Sequence, residues 1–322
     1  MAPRVSVVVP SYNYAAYLGE CLASIVGQRG FADFEVIVVD DGSTDGSREV
    51  IAGFASDPRV VVIAHETNRG HIRTMNDGFR RARGEYVIHV DADDFWHPDL
   101  LARTVPILDA HPSVGLVHTG YRLVDGAGRV TSERATNVPY GDGFRGDALP
   151  FLLFENFIPP AAALFRRSAL REIGGELPEE IPYAEDWRLW MVIARRHEFA
   201  YVDASLASYR VHDRNLHSAL LRSRAAEAVE RRILDELFAD PDLASSTLAL
   251  RPRVLARHAR RHADSRFGFG DRAGCRRFLR EALRHAPASA LEPAFWKRYL
   301  AASLPGLVYR ALQGVYRARQ PG

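Results

Sequence analysis

Three carboxylates crowd the end of one short apolar run. In Glu85–Asp99, EYVIHVDADDFWHPD, the residues Tyr86, Val87, Ile88 and Val90 read as a buried strand interrupted only by His89, and Asp91, Asp93 and Asp94 follow at its carboxyl end. So much like charge at one point needs a counter-ion. The spacing of Asp91 and Asp93 can turn two carboxylates toward one point of a tight turn, where a hard divalent cation would neutralise them and carry substrate phosphates. The same residues also suit a solvated turn before a helix opened by His97-Pro98-Asp99. A second acidic pair, Glu185-Asp186, begins a helical pattern in which Trp187, Trp190, Met191 and Ala194 share a face. A helix N-terminus favours negative charge, and an ionised carboxylate beside a substrate hydroxyl is what a general base requires. His212 closes the run Tyr209-Arg210-Val211-His212; it is either a polar strand end or an imidazole ligand completing a metal site begun by Asp93.

The elements around these residues set their places. Arg4–Val9 is a β-rich run stopping at Pro10-Ser11-Tyr12-Asn13, followed by a helical pattern with Tyr17, Leu18, Cys21, Leu22 and Ile25 on one face. Glu35–Val39 is a second strand ending in Asp40-Asp41-Gly42-Ser43, with a helix through Val50, Ile51 and Phe54 after it. Val60–Ile63 is a third, Asn68-Arg69-Gly70 a turn, and Ile72–Arg83 a helix with Met75 and Phe79 facing in. Strands alternating with such helices imply a parallel sheet with right-handed crossovers, whose ligands sit at the carboxyl ends of the strands. Tyr12, Asp40, Asp41 and Asp91–Asp94 all fall at such ends.

Beyond them, Val114–Thr119 is expected to be a strand, Tyr121–Thr131 a hairpin closed by Asp125-Gly126-Ala127-Gly128, and Phe144–Phe157 a helical patch. Ala161–Phe165 reads as a short strand, Ser168 as the cap of Ala169–Ile173, and Phe199–Val202 and Leu206–Val211 as two edge strands. From residue 215 the pattern is helical: Leu216–Phe238, Val254–Ser265, Arg272–His285 and Ala294–Arg319, the last interrupted at Pro305-Gly306.

Composition narrows the classes. A chain of 322 residues, 47% hydrophobic and 25% charged, has ample material for a core. No run is long enough to span a bilayer, and MAPRVSVVVP turns too early for a signal peptide, so a cytoplasmic place is expected. Cys21 and Cys275 are the only cysteines and lack metal-ligand spacing. The first strand leads into Pro-Ser-Tyr-Asn where a G-x-G-x-x-G turn would have to stand, which argues against a nicotinamide cofactor.

The formal net charge of +2 hides an asymmetry: residues 251–322 hold sixteen Lys or Arg against four Asp or Glu. In residues 294–319, aromatic, leucine and arginine side chains mix on one amphipathic segment. This suits either peripheral contact with a membrane interface or packing back on the protein with solvated arginines. No recognition motif for nucleic acid accompanies the basic tail.

Taken together, PSYN at Pro10–Asn13, DDGSTDGS at Asp40–Ser47, N-x-G at Asn68–Gly70, DADD at Asp91–Asp94, ED-W at Glu185–Trp187 and YRVH at Tyr209–His212 resemble the family 2 glycosyltransferases, motif by motif and in order over roughly the first 215 residues. The resemblance implies an α/β GT-A fold, a Rossmann-like mixed sheet with flanking helices, followed here by a C-terminal helical region. Residues 1–119 would be the nucleotide-sugar half, 120–215 the acceptor half and 216–322 the helical region. It implies inverting transfer from a nucleotide-sugar, a UDP-sugar first, to a sugar, lipid-linked or small-molecule acceptor, in surface polysaccharide, glycoconjugate or natural-product synthesis.

By the same resemblance Tyr12 and Asp41 are the base and ribose contacts with Asp40 beside them, and Pro10, Ala92 and Asp91 join the donor site. Asp93 and His212 would hold Mn²⁺ or Mg²⁺, Asp186 would be the catalytic base, and Glu185 its neighbour for acceptor or sugar hydroxyls. The family often continues N-x-G into Ala-Arg-Asn, whereas Met75 precedes Asn76 here. That leaves Arg69 and Arg73 to meet the diphosphate, with Arg73 placed in the donor set. Two rival classes remain: a phosphohydrolase using Asp91 and Asp93, which leaves DDGS and ED-W unexplained, and a non-catalytic sugar-nucleotide or polysaccharide-binding protein.

Overall fold

The strands that carry the acidic residues are buried along their whole length. β1 (Val5–Ser11, VSVVVPS) and β2 (Phe34–Asp40, FEVIVVD) are buried at every position, which is why their apolar runs are continuous and not alternating. The computed structural model describes residues 2–135, 138–212, 225–304 and 313. Two compact units divide the chain, Met1–His212 and Asp213–Gly322.

In the first unit, β1 pairs in parallel with β2 and with β4 (Tyr86–His89), and β2 with β3 (Val60–Ala64). Helix α1 (Ala15–Val26) buries Leu18, Cys21, Leu22 and Ile25 at helical spacing. Short α2 (Ser47–Ala52) and α3 (His71–Arg81) follow β2 and β3, and α3 buries Ile72, Met75, Asn76 and Phe79. Two further elements lead on: β5 (Phe95–Trp96) and α4 (Leu100–Ala110).

The sheet then departs from a purely parallel one. β9 (Ala163–Arg166) runs antiparallel to β4 on one side and to β6 (Val114–Asp125) on the other, and β10 (Glu198–Val211) pairs in parallel with β6. Two reversals restore the original direction, so β6 and β10 end at the same edge as β1, β2 and β4. The sheet order is β3-β2-β1-β4-β9-β6-β10-β5. β7 (Val130–Ser132) pairs with β6 around a turn in which the Gly128 amide donates to Asp125 O, the expected hairpin.

Several local expectations are corrected. Phe199–Val202 and Leu206–Val211 are not two edge strands but one strand, β10, flanked by β6 on one side and by β5 and β8 (Arg145–Gly146) on the other. The break read at Asp203-Ala204-Ser205 is a set of register shifts against β6. The helical patch Phe144–Phe157 shrinks to α5 (Leu149–Leu152), because Arg145–Gly146 is drawn into the sheet as β8. Ser168 does not cap a helix: a 3₁₀ run covers Arg167–Ile173 with no side-chain cap and stops at Gly174 in the left-handed conformation. Asp99 likewise precedes α4 without capping it.

Three buried tryptophans fasten the later part of the unit. The indole N–H groups of Trp96, Trp187 and Trp190 donate to the carbonyls of Ala161 (2.8 Å), Leu152 (2.7 Å) and Ile158 (3.1 Å). Each ring contributes apolar burial, worth roughly 1.5–3 kcal/mol for a large side chain, with its polar atom satisfied. Trp187 and Trp190 belong to α6 (Glu185–Ala194), so that helix is set against the loop after α5.

The second unit is helical: α7 (Ala225–Phe238), α8 (Ser245–Leu248), α9 (Arg251–Gly268), α10 (Arg272–His285) and α11 (Pro293–Ser303). α9 and α10 form a helical hairpin around Gly270 (φ 86°), and Asp271 caps α10 by accepting from the Gly274 amide at 2.8 Å. Ala263, Phe267, Cys275, Leu279 and Phe295 form its core. On α11, Phe295 is buried while Trp296 and Leu300 are exposed. The break at Pro305-Gly306, with the rest of 305–312 and 314–322, lies outside the described residues, as does 216–224 of the first expected helix. No helix among the described residues is long and apolar enough to cross a membrane.

Candidate functional site

Two loops at the carboxyl edge are stapled to each other before any ligand is considered. Asn13, at φ 59°, accepts through its side-chain oxygen from the Thr44 amide (2.8 Å), and its own amide donates to Ser43 Oγ (3.0 Å). Asp45 accepts from the Ala15 amide at 3.0 Å. The PSYN turn and the DDGSTDGS loop are therefore one structure, with Tyr12 42% exposed at its surface and Pro10 buried within β1.

Asp40 and Asp41 work inward. Asp40 holds Arg48 Nε at 2.7 Å. Asp41 accepts from the amides of Arg69 (2.8 Å) and Gly70 (2.9 Å) and faces His65 Nδ1 at 2.7 Å. Burial works against its charge, but these bonds outweigh it and hold the carboxyl below the usual range. His65 reaches Asp77 with its other ring nitrogen, at 2.8 Å. The N-x-G turn is thus pinned on Asp41. Neither candidate arginine is without a partner: Arg69 pairs with Asp77 at 3.0 Å and half-exposed Arg73 with Glu179 at 2.8 Å.

Of the three aspartates after β4, Asp93 and Asp94 are buried and Asp91 is half-buried. Burial first, then the charge of Asp93, raises Asp91 to about 7 although the neighbouring His71 works against it. Burial also raises Asp93, against the hydrogen bond from His212, and pushes Asp94 far up, with Asp93 and Asp91 adding to the effect. Ala92 between them is buried.

Arg210 is the built-in counter-ion. Its amide donates to Asp94 Oδ1 (2.9 Å), its Nε to Asp93 O (2.8 Å), and its far end to Asp125 O (3.3 Å) and to Glu20. Its guanidinium lies over the Tyr17 and Phe95 rings at 4.8 and 5.4 Å. Tyr17 is half-buried and also stacks on His212 at 4.8 Å.

His212 Nε2 and Asp93 Oδ2 face one another at 2.9 Å, so the two candidate metal ligands are neighbours across 119 positions of sequence. Asp94 Oδ2 is buried with no hydrogen-bond partner among the described residues. A carboxylate-imidazole pair within surplus negative charge fits a divalent cation. Among the described residues no group of three or more His, Cys, Asp or Glu converges. An ion would therefore take its other ligands from phosphate oxygens and water, as Mg²⁺ and Mn²⁺ do.

Asp186 lies in the first turn of α6, after Ala184 at φ 56°. Asn156 Nδ2 donates to its Oδ2 (2.9 Å) and the Trp187 amide to its Oδ1 (2.7 Å). Burial and the charge of Glu185 nevertheless raise it to about 7, with Asp91 adding at longer range. Glu185 goes the other way: its bond to His71 Nε2, at 3.1 Å, overcomes burial and keeps it below the usual range. The carboxylates of the DADD turn and of α6 thus share one electrostatic cluster. Residues missed from sequence are Arg210, Glu20, Asn156, Asn76, His65 and His71. The only advance signal was for Arg210, which falls on the buried phase of its strand beside Ser208.

Solved structures share this architecture. That of Staphylococcus aureus TarS 1–349 in complex with UDP-GlcNAc superposes with a TM-score of 0.67 over 98% of this chain and 92% of that one, at 23% identity, a likeness of fold. The fold is GT-A. The Glycosyl transferase family 2 model matches residues 6–174, over half of the sequence, and the chain belongs to that family. A Nostoc relative, an uncharacterized glycosyltransferase, is 30% identical over 225 residues, 66% of each chain. The putative teichuronic acid biosynthesis glycosyltransferase TuaG of Bacillus subtilis is 36% identical over 123 residues, 38% of this chain and 48% of its own. The chain thus spans less than two thirds of the length of either relative.

Proposed function

We propose that this protein is an inverting glycosyltransferase that moves a sugar from a nucleoside-diphosphate donor, a UDP-sugar first, to an acceptor hydroxyl in surface polysaccharide or glycoconjugate assembly. The observation that carries the reading is the shared cluster at one sheet edge, with Asp91 and Asp93 on the donor side and a half-buried Asp186 poised near neutrality. The UDP-GlcNAc complex of TarS supports the donor class and TuaG the polysaccharide setting.

In this reading Tyr12 meets the base, Asp41 orders the N-x-G turn beneath the nucleotide, and Asp91 touches the donor. Mn²⁺ or Mg²⁺ held by Asp93 and His212 would supply positive charge for the diphosphate. Asp186 takes the proton of the acceptor hydroxyl. The acceptor oxygen bonds to the anomeric carbon from the opposite face as the carbon–diphosphate bond breaks, and the nucleoside diphosphate leaves with the electron pair. Residues 294–319 are proposed to meet a membrane surface, supported by exposed Trp296 and Leu300 beside Lys297.

Thermal shift across UDP-, dTDP- and GDP-sugars tests the donor. With Mn²⁺ and donor at about 100 times Kd, the midpoint should rise by roughly 5–10 °C, the equivalent of about 2.7 kcal/mol. EDTA should remove the rise. A flat response to every nucleotide-sugar would overturn the reading.

A further inference from the structure

Two helices begin face to face at the site, and their first residues are joined. His71 opens α3 and Glu185 opens α6, with His71 Nε2 3.1 Å from Glu185 Oε1. Their side chains are only 27% and 12% exposed. Both starting points are fixed. The amides of Arg69 and Gly70 are held by Asp41, and Thr74 Oγ1 donates back to Gly70 O at 2.9 Å. Asn76, one turn along α3, donates to Leu177 O (2.9 Å) and accepts from the Leu177 amide (2.7 Å), so the segment leading to α6 is set on α3.

We infer that His71 is a positioning residue: through Glu185 it fixes the turn that carries Asp186 and governs how much of Asp186 is carboxylate at neutral pH. The inference rests on Asp186 being the base.

The groups around the pair are few. His71 faces Glu185 and Asp186 of α6 and Asp91 after β4, while Glu185 also faces His89 of β4. Burial disfavours charge on both imidazoles. It wins at His89, whose ring nitrogens have no hydrogen-bond partner among the described residues and whose value falls to about 3. At His71 the Glu185 bond and charge outweigh it, with Asp91 and Asp186 adding, and the value rises to about 9. At pH 7 His71 is the charged imidazole of the two. A cation favours the ionised form of a nearby acid, so removing it moves the ionisation of Asp186 to higher pH; removing the negative charge of Glu185 moves it lower.

The test is UDP release from a UDP-sugar by the purified full chain as a function of pH. The wild-type ascending limb is expected near 7. His71→Gln should move it up by about one unit, lower the rate several-fold at pH 7 and restore it at pH 9, with UDP affinity unchanged. His71→Lys should return the limb toward its original place. An unmoved limb, or a loss that pH 9 does not restore, would overturn the inference, since a purely structural role predicts both. Should His71→Gln fail to fold, His71→Asn answers the same question: its limb should likewise move up, and an unmoved one sinks the proposal. A limb absent from wild type, with Asp186→Asn still active, overturns the reading of Asp186 as well. A limb abolished by Asp186→Asn but unmoved by His71→Gln overturns the role of His71 alone.

Discussion

Replacing Asp186 by Asn is expected to lower turnover about 10²–10⁴-fold, the usual worth of a positioned acid-base group, while leaving donor affinity near wild type. The amide keeps the volume of the carboxyl and can still accept from the Trp187 amide, so the start of α6 should survive. What it loses is a basic oxygen. Because burial and Glu185 raise Asp186 to about 7, the wild-type base is protonated below that pH and ionised above it. In wild type, kcat/KM should therefore rise about tenfold per unit below pH 7 and level off above it. The variant's residual activity should lack this limb. Steady-state rates from pH 5 to 9, beside calorimetric UDP affinities, check both parts; near-normal turnover removes Asp186 from the role.

Arg210→Met is expected to destabilise the first unit by about 2–4 kcal/mol, the scale for leaving two buried carbonyls without their donors. Arg210 is 2% exposed, and its loss strips a cation from beside the DADD turn and frees the carbonyls of Asp93 and Asp125. Glu20 contributes little to this figure, since its side chain is 51% exposed and its pair is screened. Asp94→Asn in the same background should add little to the loss, because burial already holds that carboxyl protonated. Urea midpoints of the three proteins measure this. A shift within about 0.5 kcal/mol for Arg210→Met would show that the DADD turn does not depend on it.

The part of this architecture that could be read from sequence is the part where side-chain pattern and backbone direction agree. VSVVVPS and FEVIVVD are buried on both faces, so unbroken apolar runs marked them as central strands, and the acids at their ends marked the ligand edge. The Asp93–His212 pair was legible through the family motifs, though not through spacing. Chain direction was not. The four-residue run of β9 carries no sign of running antiparallel, so the reversal that makes the sheet mixed was implied only by the resemblance. Asp203-Ala204-Ser205 has the composition of a turn, and only its pairing with β6 makes it part of one strand.

The supporting residues were hidden for a related reason. Asn156 and Asn76 make side-chain bonds to partners 30 and 101 positions away, and an asparagine in a loop or helix gives no hint of such a partner. Arg210 sits in a motif that drew attention to His212, yet it is the arginine that ties β10 to the acidic turn through its amide and its Nε.

The most direct measurement of the central claim is the anomeric configuration of the product, read from the proton coupling at C1 after transfer from an α-linked UDP-sugar. A base that activates the acceptor for one displacement predicts a β-linked product. An α-linked product would require an even number of displacements or same-face attack, and would contradict the role given to Asp186.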